Sequence, residues 1–516
     1  MSKVVASGNP YIDAIIKNTK WDVTDFAFSF AVTPAQFDTS PANFVAYTPA
    51  MQAATKMALA QYAAVANVTF HLDTPEVAVK SGLLFGMDAG FGGGYRSGHY
   101  ISTYFFNSDT AIPGTYRFHE LLHEIGHYLG FSHASVSDVF GAMPADHDAY
   151  DYSVMASTGT LVGGSVQSDN HLQSLGQDDI RAIQYLYGAN FTTHAEDTVY
   201  KWNALTGEES INGVKQGAPP TNTIFSVIWD GGGHDTYDLS NYTTNLKIDL
   251  QPGAWSTFSN LQTPRATPGT AATAQIPGNI GNAYLYNNDT HSLIEDVIGG
   301  SGHDSITGNQ ANNVLTGNAG NDTLIGLAGD DTLDGGAGAD KLIGGDGSDT
   351  ASYADAKGAL LADLMKPSDN WGDATGDTYS SIENLLGGAY VDKLFGDNGA
   401  NVITGGGGAD YLMGRGGADT FVFQYLSDSL PNARDTIMDF VSGEDKVDLH
   451  LIDANTKLDG DQSFTYIGAK DFTGHAGELN FVKGVLSADV DGDGKADFQV
   501  TFVGHGATLL ASEIIL

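Results

Sequence analysis

Two apolar rhythms divide this chain. In its first part apolar residues return every three or four positions, the period of a helix with one buried face. Phe118, Leu121, Leu122, Ile125 and Leu129 show it most clearly. Thr115 is placed to cap that helix, and Gly130 to end it in a left-handed turn at no steric cost. A second helix is predicted over the Ala-rich stretch from about Ala50 to Ala66, with Thr48 as cap and Pro49 in its first turn. Glycines 90, 92, 93 and 94 form a loop before Tyr100-Ile101-Ser102-Thr103-Tyr104-Phe105-Phe106, a β-prone run. Around Asn190 to Thr198 the helical rhythm gives way to a β rhythm, and a domain boundary is expected there.

From Gly299 the period becomes nine. Six units follow in tandem, GGSGHDSIT, GNQANNVLT, GNAGNDTLI, GLAGDDTLD, GGAGADKLI and GGDGSDTAS, and end at Ser352. A second set, GGAYVDKLF, GDNGANVIT, GGGGADYLM and GRGGADTFV, begins at Gly387. Each unit reads as a glycine-rich turn and a very short strand. Ile306, Leu315, Leu324, Leu333 and Leu342 point inward, so that stacked coils bury a narrow core. A flexible glycine-rich linker would not keep an apolar residue in phase across six units. Stacking also ranks the turns, offering the all-oxygen shell that calcium prefers. The candidate calcium residues are Gly300, Gly302, Asp304, Asn318, Gly320, Asp322, Leu327, Gly329, Asp331, Gly336, Gly338, Asp340, Gly345, Gly347 and Asp349 in the first set. In the second they are Asp392, Gly406, Gly408, Asp410, Gly417 and Asp419. Residues 353–386 read as an inserted β segment. Asp489-Val490-Asp491-Gly492-Asp493-Gly494-Lys495-Ala496-Asp497 has calcium-loop spacing for its acids; a tight acidic turn fits it equally well.

The helix over 116–129 also carries chemistry. His123-Glu124-Ile125-Gly126-His127-Tyr128-Leu129-Gly130-Phe131-Ser132-His133 supplies three imidazoles and a carboxylate. Residues four apart share a helix face, so His123 and His127 can reach one ion. The turn at Gly130 can bring back His133 as third ligand. Three protein ligands leave a position open, as in a catalytic zinc site. Glu124, beside that face, suits a general base on a metal-bound water. His119-Glu120-Leu121-Leu122-His123 also fits the short motif but lacks the continuation. His119 is therefore expected to back the site or face solvent.

This eleven-residue pattern resembles that of the metzincin zinc peptidases. Met155, in Tyr152-Ser153-Val154-Met155 and 22 residues after His133, is similar to their methionine turn. Within the metzincins the chain looks like the serralysin family. Asn9-Pro10-Tyr11-Ile12-Asp13 and Trp21-Asp22 resemble that family's amino-terminal segment. Asp179 through Asn190 looks like the helix closing its catalytic domain, and Trp229-Asp230-Gly231-Gly232-Gly233-His234-Asp235-Thr236 like its first calcium turn, which adds Asp235 to the calcium residues. The resemblance implies an α+β metzincin-like catalytic domain over 21–195. An all-β, calcium-binding parallel β-roll or β-sandwich domain over 196–516 would follow it, ending in a carboxy-terminal secretion signal. Residues 1–20 are an amino-terminal segment or a short propeptide. Two positions depart from the family: Ser157 stands where a tyrosine is usual, and Ala134 where proline is common. Tyr150 and Tyr152 are the phenols near enough in sequence to replace that tyrosine. By resemblance, the run from Tyr100 is the sheet edge along which a peptide substrate pairs; an ordinary edge strand fits as well.

Composition agrees. With 23 basic against 62 acidic residues, the net charge of −39 argues against nucleic acid and anionic membranes as partners. No stretch approaches a membrane span. The chain has no cysteine, so export would need a stabiliser other than disulfides, and calcium is one. No signal peptide is visible after Met1-Ser2-Lys3. The resemblance implies signal-less type I secretion from a Gram-negative cell, with Ser512-Glu513-Ile514-Ile515-Leu516 similar to its terminal signal. The expectation is a secreted, extracellular, monomeric zinc endopeptidase with one catalytic zinc and several structural calcium ions. Its partners would be protein or peptide substrates, the type I exporter and a small protein inhibitor. The rival is an extracellular calcium-binding adhesion or surface-layer module whose zinc domain is weak or inactive.

Overall fold

The computed structural model describes residues 1–37, 43–88, 94–96, 100–102, 112–134, 140–156, 160–161, 164–165, 170–264, 278–506 and 508–516. The chain forms two compact units, one of Met1–Asn241 with Lys247–Ile294, the other of Tyr242–Leu246 with Glu295–Leu516. β structure begins again at Val199–Trp202, while compactness divides the chain at Ile294 rather than at the boundary expected near Asn190 to Thr198.

The first unit is built on a mixed sheet. Its strands run in the order Thr69–Leu72, Asp25–Phe30, Leu83–Asp88, Tyr100–Ser102, Gly94–Arg96, with Phe44–Val45 also on Leu83–Asp88. The helices Pro49–Val65, Tyr116–Leu129 and Gln177–Tyr187 share one core with it. Tyr62, Phe26, Phe85, Leu121, Leu122, Ile125, Leu129, Ile183 and Leu186 are all buried there. Both predicted caps are in place: Thr48 Oγ1 accepts from the Met51 amide, and Thr115 Oγ1 from the Phe118 amide, each at 3.3 Å. Tyr100–Ser102 lies between two strands, so among the described residues Gly94–Arg96 is outermost, not the predicted run. Thr103–Phe106 and glycines 90, 92 and 93 lie outside the described residues.

In the second unit two nonapeptides make one coil. Strands therefore pair in parallel, 18 residues apart wherever the repeats are uninterrupted: Val297 opposite Leu315, then Leu333 and Ala351, and, after a longer step over the inserted segment, Leu385, Ile403 and Phe421, with Val447 following another longer step. On the other face Ile306, Leu324, Leu342 and Tyr379 follow one another. The five predicted inward residues are wholly buried. The inserted segment supplies Thr378–Ser380, which extends one sheet, and Leu361–Asp363, which starts another against Lys393–Phe395. Ile514–Ile515 adds a parallel strand to Lys446–Asp448, and Glu513 accepts bonds from Ser442 Oγ and the Gly443 and Leu510 amides. At 489–497 both readings meet. Asp489 accepts from the Gly492 and Gly494 amides in a tight turn, and the carboxylates of Asp489, Asp491 and Asp493 come within 4.8 Å of one another.

Candidate metal centre

The predicted trio converges. The helix Tyr116–Leu129 carries His123 and His127 on one face, and Gly130, at φ 117°, turns the chain back so that His133 meets them. His133 Nε2 lies 3.1 Å from His123 Nε2 and 3.0 Å from His127 Nε2. Two nitrogens each about 2.0–2.1 Å from a tetrahedral zinc stand roughly 3.3 Å apart, so the spacing suits that ion. The outer nitrogens are fixed as well. His123 Nδ1 donates to the Val154 carbonyl at 2.8 Å, and His127 Nδ1 to the Phe131 carbonyl at 3.0 Å. These bonds orient the rings and leave each Nε2 lone pair facing the centre. Burial holds the His123 imidazole down to about 4 and His127 to about 3, which keeps both neutral, the form that ligates. His133 is exposed, so the centre opens toward solvent on its side. Glu124 is buried on the same helix.

Met155 lies under the helix. A Cβ on Gly126 would come 3.3 Å from Met155 Sδ and 2.8 Å from both Phe131 Cδ2 and Tyr62 Oη. Tyr62, on the helix Pro49–Val65, donates to the Leu122 carbonyl at 2.7 Å and so braces the metal helix. Gly126→Ala should therefore destabilise the first unit by about 1–3 kcal/mol through overpacking. Thermal melts with and without zinc would show the loss in both; an unchanged melt would contradict the packing described.

The turn through Ser153 and Val154 that leads to Met155 hangs on one buried carboxylate. Asp179 accepts from Ser153 Oγ at 2.6 Å, the Val154 amide at 2.8 Å and the Gly176 amide at 2.9 Å. Burial pushes its carboxyl up to about 7 despite those three bonds. Asp179→Ala would strand three buried donors, at a cost on the order of 3 kcal/mol. It would also free the Val154 carbonyl that orients His123, so zinc affinity should fall together with the melting temperature. Retained affinity in a folded variant would separate the turn from the metal.

The helix's last carbonyls, which lack helical partners, are met by residues 15–21. Lys17 Nζ donates to His127 O at 2.9 Å, Trp21 Nε1 to Tyr128 O at 2.7 Å, and the Lys17 amide to Gly130 O at 2.8 Å. The Ser132 amide donates to Ile15 O at 2.8 Å, next to the third histidine. Sequence reasoning missed this clasp, because backbone caps from a distant segment leave no periodic trace.

His119 is not on the surface. It is 3% exposed and packs edge-on against Tyr150 at 4.3 Å between ring centres, and against His171 at 5.0 Å. Burial holds His119 well below the ordinary histidine range and His171 down to about 4. Tyr152 stacks on His147 at 3.8 Å, with Tyr11 on that imidazole's other face at 4.0 Å. Of the two phenols named for the missing tyrosine, Tyr150 is thus the one packed against a histidine of the metal helix, the non-ligating His119. Ser157 lies outside the described residues.

The turn residues also assemble. Along the roll each turn's backbone is tied to the carboxylate 18 residues on: the Asp304 amide to Asp322 Oδ1, Asp322 to Asp340, Asn313 to Asp331, Asp331 to Asp349, Asp392 to Asp410, and Asn401 to Asp419. Asp377, Glu383, Asp435 and Asp445 continue these ladders. Sequence reasoning missed those four because the insertion and later loops break the spacing. The second oxygens of Asp322, Asp331, Asp340, Asp349, Asp410 and Asp435 are buried with no hydrogen-bond partner. An ionised oxygen so placed requires a proton or a cation. Left-handed φ at Asn318 (70°) and Leu327 (87°), and at Gly320, Gly329, Gly336, Gly345, Gly347, Gly406, Gly408 and Gly417, forms the turns around them. Gly300, Gly302 and Gly338 lie too close to neighbouring backbone for any side chain. Asp304 and Asp392 close their own turns on the Gly300 and Gly388 amides. In the first unit Asp235 is buried and accepts from the Thr198 amide at 2.8 Å.

Comparison with known proteins fits both halves. The family model described as Peptidase M10 serralysin C terminal matches residues 189–373 and 376–516, more than half of the chain. The chain belongs to the serralysin family. Metalloprotease AprA of Pseudomonas entomophila (strain L48) is 31% identical over 90% of this chain and 80% of its own. Metallopeptidase AprA of Pseudomonas marginalis is 29% identical over 95% and 85%. Serralysin B of Dickeya chrysanthemi is 33% identical over 54% of this chain and 56% of its own. Serralysin membership implies a metalloprotease and zinc, and the three converged imidazoles are a group able to hold that ion. Among the described residues no helix is long and apolar enough to cross a membrane.

Proposed function

We propose that this serralysin is a secreted zinc endopeptidase that cleaves protein substrates, with residues 21–195 as catalytic domain and 196–516 as calcium-dependent RTX domain. The observation that carries the reading is the meeting of His123, His127 and His133 at 3.0–3.1 Å, with two of the three rings fixed from behind by backbone carbonyls. A bound zinc would supply Lewis acidity, polarising the scissile carbonyl and lowering the pKa of the attacking water toward about 7. Glu124 then takes the proton from that water and passes it to the leaving amine. No protein nucleophile is involved, so no covalent intermediate forms. Residues 15–17 stay on the working enzyme, because they hold the loop that carries His133.

The buried, unpartnered aspartate oxygens of the roll support several structural calcium ions, held with turn carbonyls. Scarce cytosolic calcium leaves the repeats unfolded for passage through a type I exporter, and millimolar calcium outside folds them by mass action. The test is casein hydrolysis in excess calcium. A zinc-selective chelator should abolish turnover and one equivalent of zinc should restore it. Turnover that survives complete zinc removal would overturn the proposal.

A further inference from the structure

Resting on the calcium reading above, we infer that Arg415 is a built-in cation of the roll: its guanidinium stands in for calcium where the turns Gly396–Asn401 and Gly414–Asp419 stack, and that step binds no ion. Arg415 occupies the second position of its nonapeptide, which is Gly336, Gly345 or Gly406 in some units and the uncharged Asn318 or Leu327 in others, and like those two it holds a left-handed φ, here 73°. A non-glycine residue in that conformation is strained; Asn318 and Leu327 bear the same strain, and of the three only Arg415 brings a positive charge.

What it brings is charge and donors. One guanidinium nitrogen donates to the Gly396 carbonyl, an oxygen of the neighbouring turn. Another binds Asp363 Oδ2 at 2.6 Å, and the two side chains are only 18% and 4% exposed. The other oxygen of Asp363 accepts from the Met365 and Lys366 amides at 2.9 and 2.8 Å. A carbonyl and a buried carboxylate, the donor types calcium takes, are thus already neutralised by one fixed positive group.

The same step also lacks an acid. Asn401 stands at the turn position that is aspartate in Asp392, Asp410 and Asp419. Its Oδ1 accepts from the Asp397 amide at 2.8 Å, and its Nδ2 donates to Glu383 O at 2.7 Å. Around it no orphaned oxygen remains of the kind seen at Asp410 and Asp435. An asparagine at the turn-aspartate position and an arginine at the second turn position therefore coincide at one step of the roll, where Asp439 accepts from the Gly414 and Arg415 amides.

Equilibrium dialysis of the full chain against calcium provides the test. The double variant Asn401→Asp/Arg415→Gly should bind one calcium more than wild type, while an equal number would overturn the inference. Wild type binding no calcium at all would instead sink the calcium reading beneath it. The single variant Arg415→Gly gives a second readout that needs no new acid. It should melt below wild type in low calcium and approach it as calcium rises, because the vacated carbonyl and Asp363 then take the ion. A deficit that calcium does not narrow marks a merely packed arginine and overturns the inference.

Discussion

Glu124→Ala will slow casein hydrolysis by orders of magnitude while leaving one zinc per chain. The three imidazoles are held by the helix, by Gly130 and by the carbonyls of Val154 and Phe131. What disappears is the group that accepts and relays the proton. General acid–base catalysis contributes typically about 10²–10⁴-fold, so kcat should fall by that factor with KM little changed. The experiment also separates the endopeptidase from a binding module with a dormant zinc domain. In that rival case wild type and variant would show the same negligible turnover.

Chelating calcium will unfold the unit containing Glu295–Leu516, and acid will partly reverse the loss. Burial, reinforced by neighbouring carboxylates, pushes Asp322 up to about 7, Asp410 to about 9 and Asp435 to about 8. In the unfolded chain these groups titrate near about 4. Between those values the calcium-free fold holds protons that the unfolded chain has released, so its stability falls as pH rises through the window. Circular dichroism in chelator should show more β structure at pH 5 than at pH 8. With calcium present the trend reverses, because the ion needs ionised carboxylates and protons compete with it. A calcium-free fold indifferent to pH, or one favoured by alkali, would contradict the raised carboxyls.

The parts legible in the sequence are those in which one residue's role repeats or has fixed spacing. Ile306, Leu315, Leu324, Leu333 and Leu342 could be placed in the core because a nine-residue period leaves a single inward position. His123, His127 and His133 could be grouped because helix pitch and one glycine settle where they point. The supports were not legible. Lys17, Ile15 and Trp21 act on the metal helix mostly through its backbone carbonyls, and those are present whatever the sequence. Asp179 read only as part of a family helix, yet through three bonds it anchors the turn that leads to Met155. His119 was expected behind the site or at the surface. Its burial is set by Tyr150 and His171, which the chain brings in from far along the sequence.

X-ray absorption at the zinc edge of the purified full chain tests the central claim most directly. Three nitrogen scatterers of imidazole type at about 2.0–2.1 Å, with one oxygen scatterer and one zinc per chain, are expected. In His133→Ala one imidazole should drop out. A zinc shell unaffected by that substitution, or a chain that carries no zinc after reconstitution, would contradict the account.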